Sequence, residues 1–272
     1  MKKTVISLTA VFAAALLYVS CSNDDNKNIT TSDYTTIGAS TAIDAANEMD
    51  VNTGLSVTTS NPATKPAETP VGACSTITVS GTTYPRVYTV DFGTTGCVDG
   101  NLTRKGKLEI TLTGPVTTTG SKMTIKRIDY SINNLKLEGT IEYTNTTTVA
   151  TVPQWTRKVT GGKLTDTQGR VYTNSGTYTT KQTAGVDTPY VLSDNVYEVP
   201  EGSHTVIAGD GTTLTLTVQE TLIKKYSCLF ISKGKVKIQG GILNGVIDYG
   251  NNDCDSKYTY THENGSSVEL SL

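Results

Sequence analysis

Four of the five cysteines, both histidines and a few Asp/Asn clusters are the residues whose types and spacing could do chemistry in this 272-residue chain. Asp91-Phe92-Gly93, followed after three residues by Cys97, recurs as Asp248-Tyr249-Gly250 followed after three residues by Cys254, an offset of 157 residues. Each copy has a second cysteine upstream: Cys74 lies 23 residues before Cys97, and Cys228 lies 26 before Cys254. Repeated spacing makes Cys74–Cys97 and Cys228–Cys254 the expected disulfides of two related units, one opening the domain and one closing it. Each would close a loop of about 25 residues and restrict the unfolded chain by roughly 3–4 kcal/mol. The rival use of four thiols, a Zn²⁺ site, lacks the C-x-x-C knuckle spacing.

The carboxylates allow two further chemistries. Asp248, Asn251, Asn252, Asp253 and Asp255 offer hard oxygen ligands, which makes Asp248, Asp253 and Asp255 candidates for holding Ca²⁺, although the run does not match an EF-hand loop. A polar turn stapled by Cys254 accounts for the same residues, so no cofactor is expected. Glycoside hydrolysis needs only two carboxylates, and Asp91, Asp99, Asp248, Asp253 and Asp255 are available, yet nothing in the sequence sets a pair at the required separation. Asp91 and Asp248 stand where strands run into turns, where a carboxylate bonds turn backbone. His204, in Glu201-Gly-Ser-His204, and His262, beside Asn264-Gly265, read as exposed loop residues. No G-x-S-x-G, H-E-x-x-H or phosphate-loop spacing occurs, so no catalytic residue is assigned.

The N-terminus is a leader. Lys2 and Lys3 precede an uncharged stretch, Val5 to Ser20, that is too short to span a bilayer. Leu17-Tyr18-Val19-Ser20-Cys21 resembles the lipobox of bacterial lipoproteins, although Tyr18 fills the slot usually held by leucine. The resemblance implies cleavage before Cys21 and acylation of that residue. Ser22-Asn-Asp-Asp25 resembles the surface-export signal of lipoproteins from Bacteroidota and implies the outer face of the outer membrane. Setting Lys2 and Lys3 aside leaves 21 basic residues against 25 acidic ones, a net of −4, with no basic block. A nucleic-acid partner therefore has no electrostatic footprint.

The elements that must position these groups are strands. Charged residues make up only 18%, glycine is abundant at 25, and Phe (3), Met (3) and Trp (1) are scarce, a palette for short strands with wet outer faces. Residues 1–20 form the leader, 21–70 a flexible tether containing Pro62, Pro66 and Pro70 with a short helix possible at Thr41 to Met49, and 71–272 a β domain. Leu108, Ile110 and Leu112 alternate with polar residues. Met123 and Ile125 share one parity while Ile128, Tyr130 and Ile132 take the other, which predicts a bulge near Lys126-Arg127. Asn133-Asn134 and Asn264-Gly265 are hairpin turns, and Gly139 marks a bend or close approach. Residues 144–200 are the least legible part: runs such as Thr144–Thr148 carry no core stripe, while Gly169-Arg-Val-Tyr172 and Gly176-Thr-Tyr178 look like short strands between turns. Trp155, Tyr172, Tyr178, Tyr190 and Tyr197 cluster there, to be read as packing residues or as a platform for sugar rings. The fold class expected is all-β, an antiparallel meander closed as a sandwich or open barrel.

Asp91-Phe-Gly-Thr-Thr-Gly-Cys97, Arg104-Lys-Gly-Lys-Leu-Glu-Ile-Thr-Leu-Thr-Gly114 and Asp248-Tyr-Gly-Asn-Asn-Asp-Cys-Asp255 resemble blocks of uncharacterised secreted lipoproteins of Bacteroidota. That family lends no activity. The expected function is a surface lipoprotein acting as an interaction or structural module, with a membrane partner through Cys21 and an unidentified glycan or protein ligand. The alternatives are a carbohydrate-binding or carbohydrate-cleaving part of a polysaccharide-capture system, and a periplasm-facing assembly protein.

Overall fold

The computed structural model describes residues 31–59 and 74–272. The leader, Cys21, Ser22 to Asp25 and the three tether prolines lie outside the described residues. Within them run a helix, α1 (Thr31–Thr59), and the strands β1 (Thr76–Ser80), β2 (Arg86–Asp91), β3 (Cys97–Asp99), β4 (Leu102–Leu112), β5 (Lys122–Ile132), β6 (Leu135–Asn145) and β7 (Gln154–Thr165). They continue as β8 (Val171–Ala184), β9 (Val196–Ala208), β10 (Thr213–Lys225), β11 (Lys233–Gln239), β12 (Gly245–Asn251), β13 (Lys257–His262) and β14 (Ser267–Ser271). No helix among the described residues is long and apolar enough to cross a membrane.

The strands make one antiparallel meander in which sheet order follows chain order, β3 alone lying off the path on β4. Among the described residues there is no second sheet to form a sandwich. The path ends at β1 and β14, so the sheet is not closed into a barrel. Alternation sets its two faces: Leu108, Ile110, Leu112, Met123, Ile125 and Ile141 are buried, while Lys, Glu and Thr stand outside. Outer pairs such as Lys122–Glu142 and Lys163–Glu138, both at 3.3 Å, are exposed and contribute little. The expected bulge exists, with β5 shifting register on β6 between Lys126 and Tyr130 and Asp129 at φ 48°. It falls after Arg127, which stays inward with Met123 and Ile125, and leaves Tyr130 and Ile132 inward but Ile128 only half-buried. Gly139 (φ 101°) is the close approach: a Cβ there would lie 2.6 Å from the Gly161 carbonyl oxygen.

Residues 31–59 are not tether. They form a 29-residue helix of which most side chains are buried against the concave side of the sheet. Partners of α1 come from almost the whole meander: Arg104 on β4, Arg127 and Tyr130 on β5, Arg157 on β7, His204 on β9 and Tyr258 on β13. The sheet therefore curls around the helix. Ala42, Ala45 and Ala46 allow close approach, and a Cβ on Gly54 would meet Met123 Sδ at 2.6 Å. Ser40, Thr53 and Thr58 donate their hydroxyls to the carbonyls four residues back, which satisfies them inside the helix. Helix propensity alone would not hold so Thr-rich a segment; its tertiary partners do.

An antiparallel meander places successive connections at alternate ends. One end, here the hairpin end, carries 133–134, 166–170, 209–212, 240–244 and 263–266. The other, the loop end, carries 81–85, 113–121, 146–153, 185–195, 226–232 and 252–256. Along β5 from loop end to hairpin end, α1 meets Met123 with Gly54, Arg127 with Asp50, and Ile132 with the Ala42–Ala46 turn. The N-terminus of α1 thus faces the hairpin end and its C-terminus the loop end.

Candidate functional site

Two features stand out: a buried ionic seam between α1 and the sheet, and the loop end. The seam has two clusters. In the first, Arg127 Nη2 lies 2.7 Å from Asp50 Oδ2, Arg127 Nη2 also donates to Asn47 Oδ1 (2.9 Å), and Tyr130 Oη donates to Asp50 Oδ1 at 2.8 Å. Arg127 and Asp50 are almost fully dry. Burial, and next the Asp50 charge, raise the Tyr130 hydroxyl far above its usual pKa. Arg104 Nη1 donates to Thr53 Oγ1 (2.8 Å) while its guanidinium lies 5.4 Å from the Phe92 ring centroid, the aromatic of the first repeat.

In the second cluster Arg157 Nη1 lies 2.6 Å from Glu48 Oε1 and its Nη2 3.5 Å from Asp44 Oδ1, with the guanidinium 4.7 Å from the Tyr178 ring centroid. The Glu48 contact is close in charge but off-line as a hydrogen bond. Burial opposes the charge of Arg157, but Glu48 and Asp44 outweigh it and raise its pKa. His204 is not an exposed loop residue. It is 4% exposed on β9, where Nδ1 shares a hydrogen bond with the Tyr178 hydroxyl and lies 3.4 Å from Asp44 Oδ2. Strand alternation puts it inward beside Val206, and Asp44 on α1 supplies the polar partner that the sequence around His204 lacks. Asp44, His204 and Tyr178 have the residue types of a proton relay. Nε2 of His204, however, is buried with no polar partner among the described residues, so no nucleophile completes it.

Burial, then Arg157, lowers the His204 pKa against the pull of Asp44. Below its ordinary value near 6.5 the unfolded chain binds a proton that the folded chain refuses, so stability falls as pH drops through that value. The expected slope approaches about 1.4 kcal/mol per pH unit. Urea titrations across this range should show it, and His204→Gln should flatten it while lowering stability throughout. Lys224 acts on the alkaline side. Burial pushes it to about 8 against the attraction of Glu48, and its Nζ donates to the Cys228 and Leu229 carbonyls.

The sequence-chosen residues sort cleanly. The disulfides are Cys74–Cys97 and Cys228–Cys254. Asp91 and Asp248 each accept the amide of the glycine two residues on, at 2.9 Å, and each glycine has positive φ. The two units share a topology, cysteine, strand, strand, Asp-aromatic-Gly, cysteine, strand. β2 and β12 nevertheless run in opposite directions, so the first motif sits at the hairpin end and the second at the loop end. Asp91 and Asp248 are therefore not brought together as a carboxylate pair. Asp255 accepts the Lys257 amide (3.0 Å), and Asp253 is exposed beside it. No group of three or more His, Cys, Asp or Glu among the described residues is placed to hold a metal ion. His262 sits at the end of β13 with Nε2 2.8 Å from the Ile242 carbonyl oxygen. Of the middle aromatics, Trp155, Tyr172, Tyr178 and Tyr197 are buried; Trp155 stacks on Tyr143 and donates to the Val116 carbonyl (3.1 Å). Only Tyr190 of that group is exposed, at 67%.

The carboxylates of the seam escaped the sequence reading because acids in an Ala/Asn/Thr-rich stretch look solvated. A signal existed: Arg127 shares the inward parity of Met123 and Ile125, and Arg157 that of Trp155 and Val159, which demands buried counter-ions. The space inside the sheet is taken by α1. One small cavity, between Ala42, Ala45, Met49 and Ile132, Leu137, Leu164, leaves room for about one water.

The loop end differs. Tyr84, Val149, Val152, Tyr190, Val191 and Leu229 are exposed there, the last five on three consecutive connections. The six connections hold Asp187, Asp194, Asp253 and Asp255 and no lysine, arginine or histidine. Thr188 Oγ1 donates to Asp194 Oδ2 (2.7 Å) and brackets Tyr190, while buried Asn195 accepts from Gln182 and donates to Tyr197. The loop bearing Tyr190 is thus built on a fixed polar base. No family model, curated protein or solved structure matches this chain.

Proposed function

We propose that the protein is a lipoprotein held at the outer membrane through Cys21, whose β domain is a non-catalytic interaction or structural module presenting its loop end to a partner. The observation that carries this reading is the polarity of α1. The helix begins at the hairpin end, ten residues after Cys21, a span of at most about 35 Å. A chain anchored there holds the hairpin end near the bilayer and turns the exposed apolar and acidic loop end outward. An interior filled by the protein's own helix also favours surface recognition over carriage of an internal ligand.

Protease shaving of intact source cells tests orientation, with an antibody against residues 74–272 as readout. Loss of signal with a periplasmic control intact supports the surface reading. Protection, with the purified protein confirmed as cleavable, moves the module to envelope assembly inside. Mass spectrometry of the mature N-terminus tests the anchor, for which an acylated Cys21 is expected. One observation favours a glycan ligand as a second reading: Tyr190 is an exposed ring flanked by the hydroxyl and carboxylate of Thr188 and Asp194. Titration against a polysaccharide panel should then show binding that Tyr190→Ala weakens by about tenfold. No binding by the wild-type protein rejects it.

A further inference from the structure

The two edges of the open sheet are guarded differently. β14 carries Glu269 at its centre, and a two-fold pairing of this edge with its copy would set Glu269 against Glu269. β1 reads Thr-Ile-Thr-Val-Ser, four of its five residues are β-branched, and no charged residue occurs from Cys74 to Tyr84. It contains no proline, and in the sheet it pairs with β2 alone. Among the described residues nothing pairs with its outer edge, which presents backbone groups with none of the usual protections except shortness.

The side chains are self-complementary. Ile77 pairs with Val90 and Val79 with Tyr88, both inward residues, so Ile77 and Val79 share the concave face. Ile77 packs against the core, but Val79 remains 54% exposed because no strand among the described residues lies beyond it. An antiparallel pairing of β1 with a second β1 about a two-fold axis at Thr78 sets Thr76 against Ser80, Ile77 against Val79, and Thr78 against Thr78. Each exposed Val79 then gains an apolar neighbour, and no like charges meet.

We propose that β1 is a homodimerisation edge, joining two copies into one continuous sheet. The pairing is isologous, so it closes at two chains, and the outermost edges become two copies of the Glu269-guarded β14 rather than growing points for a fibre. Five residues per copy make a small interface, and the dimer is correspondingly weak, forming over about 10–300 µM. The proposal is independent of what the loop end binds.

Sedimentation velocity of the full chain in mild detergent should show a monomer–dimer equilibrium in that range. Thr78→Lys and Thr78→Glu, each placing like charges on the axis, should each weaken association at least tenfold, by about the cost of a like-charge pair. Mixing the two variants should restore it as a heterodimer through a Lys–Glu pair, an outcome that misfolded variants cannot produce. A wild-type chain that stays monomeric throughout the range overturns the proposal. So does a dimer insensitive to both substitutions, or one not rescued by mixing.

Discussion

Asp50→Ala should cost the fold about 3–5 kcal/mol, the largest effect expected of any single side chain on α1. The carboxylate receives Arg127 on one oxygen and Tyr130 on the other, with almost no water-exposed surface on either charged partner to absorb the loss. Truncation leaves the guanidinium dry and only half-bonded, through Asn47 and the Glu138 carbonyl. Urea unfolding followed by tryptophan fluorescence measures the cost, because Trp155 is buried in the same core. The diagnostic companion is Asp50→Leu with Arg127→Met. Removing both charges should recover most of the stability, since a buried pair can be replaced by apolar groups of similar volume at little cost. A double variant no more stable than Asp50→Ala would mean that the pair does more than satisfy itself.

Arg157→Met should destabilise by a similar margin, about 3–5 kcal/mol at neutral pH, with a different pH signature. Arg157 is the cation that Asp44 and Glu48 share, and without it two carboxylates of α1 face a dry wall one helical turn apart. Its loss also removes one cause that holds the His204 pKa down, while the Asp44 carboxylate that pulls it up stays in place. The folded variant therefore refuses the His204 proton less strongly, and its stability falls less steeply than that of the wild-type protein as pH drops below about 6.5. Denaturation midpoints of both proteins at three or four pH values between 5 and 7.5 show the two slopes. Parallel slopes would mean that Arg157 does not act on His204.

Both predictions concern residues that were hidden for one reason. Burial was legible wherever apolar residues alternated, as in Leu108, Ile110 and Leu112, and turns were legible where Asn or Gly had to adopt positive φ, as at Asn133, Asn134 and Gly265. In β7, β8 and β9 the inward positions include Arg157, Asn174, Tyr178, Thr180, Gln182 and His204, residues that score as polar. Of these three long strands only short pieces, Gly169 to Tyr172 and Gly176 to Tyr178, read as strand. The same substitution of polar for apolar concealed α1, whose Asp44, Asn47, Glu48 and Asp50 suggest a solvated tether. Asp44, Glu48 and Asp50 are halves of pairs with Arg157, His204 and Arg127 that lie up to 160 positions away, and no local window contains both halves.

The sequence by itself determined what depends on neighbours in the chain: strand alternation, hairpin turns, the two Asp-aromatic-Gly turns and the pairing of four cysteines through repeated spacing. The fold left to its three-dimensional packing everything that depends on charges meeting across the sheet. Only there do Asp44 and Asp50 find their arginines, and only there does the N-terminal segment become a core helix. The meander also sends the two repeat motifs to opposite ends, because an odd number of strand reversals separates β2 from β12. Local chemistry sets each turn, but strand direction decides which turns can ever act together.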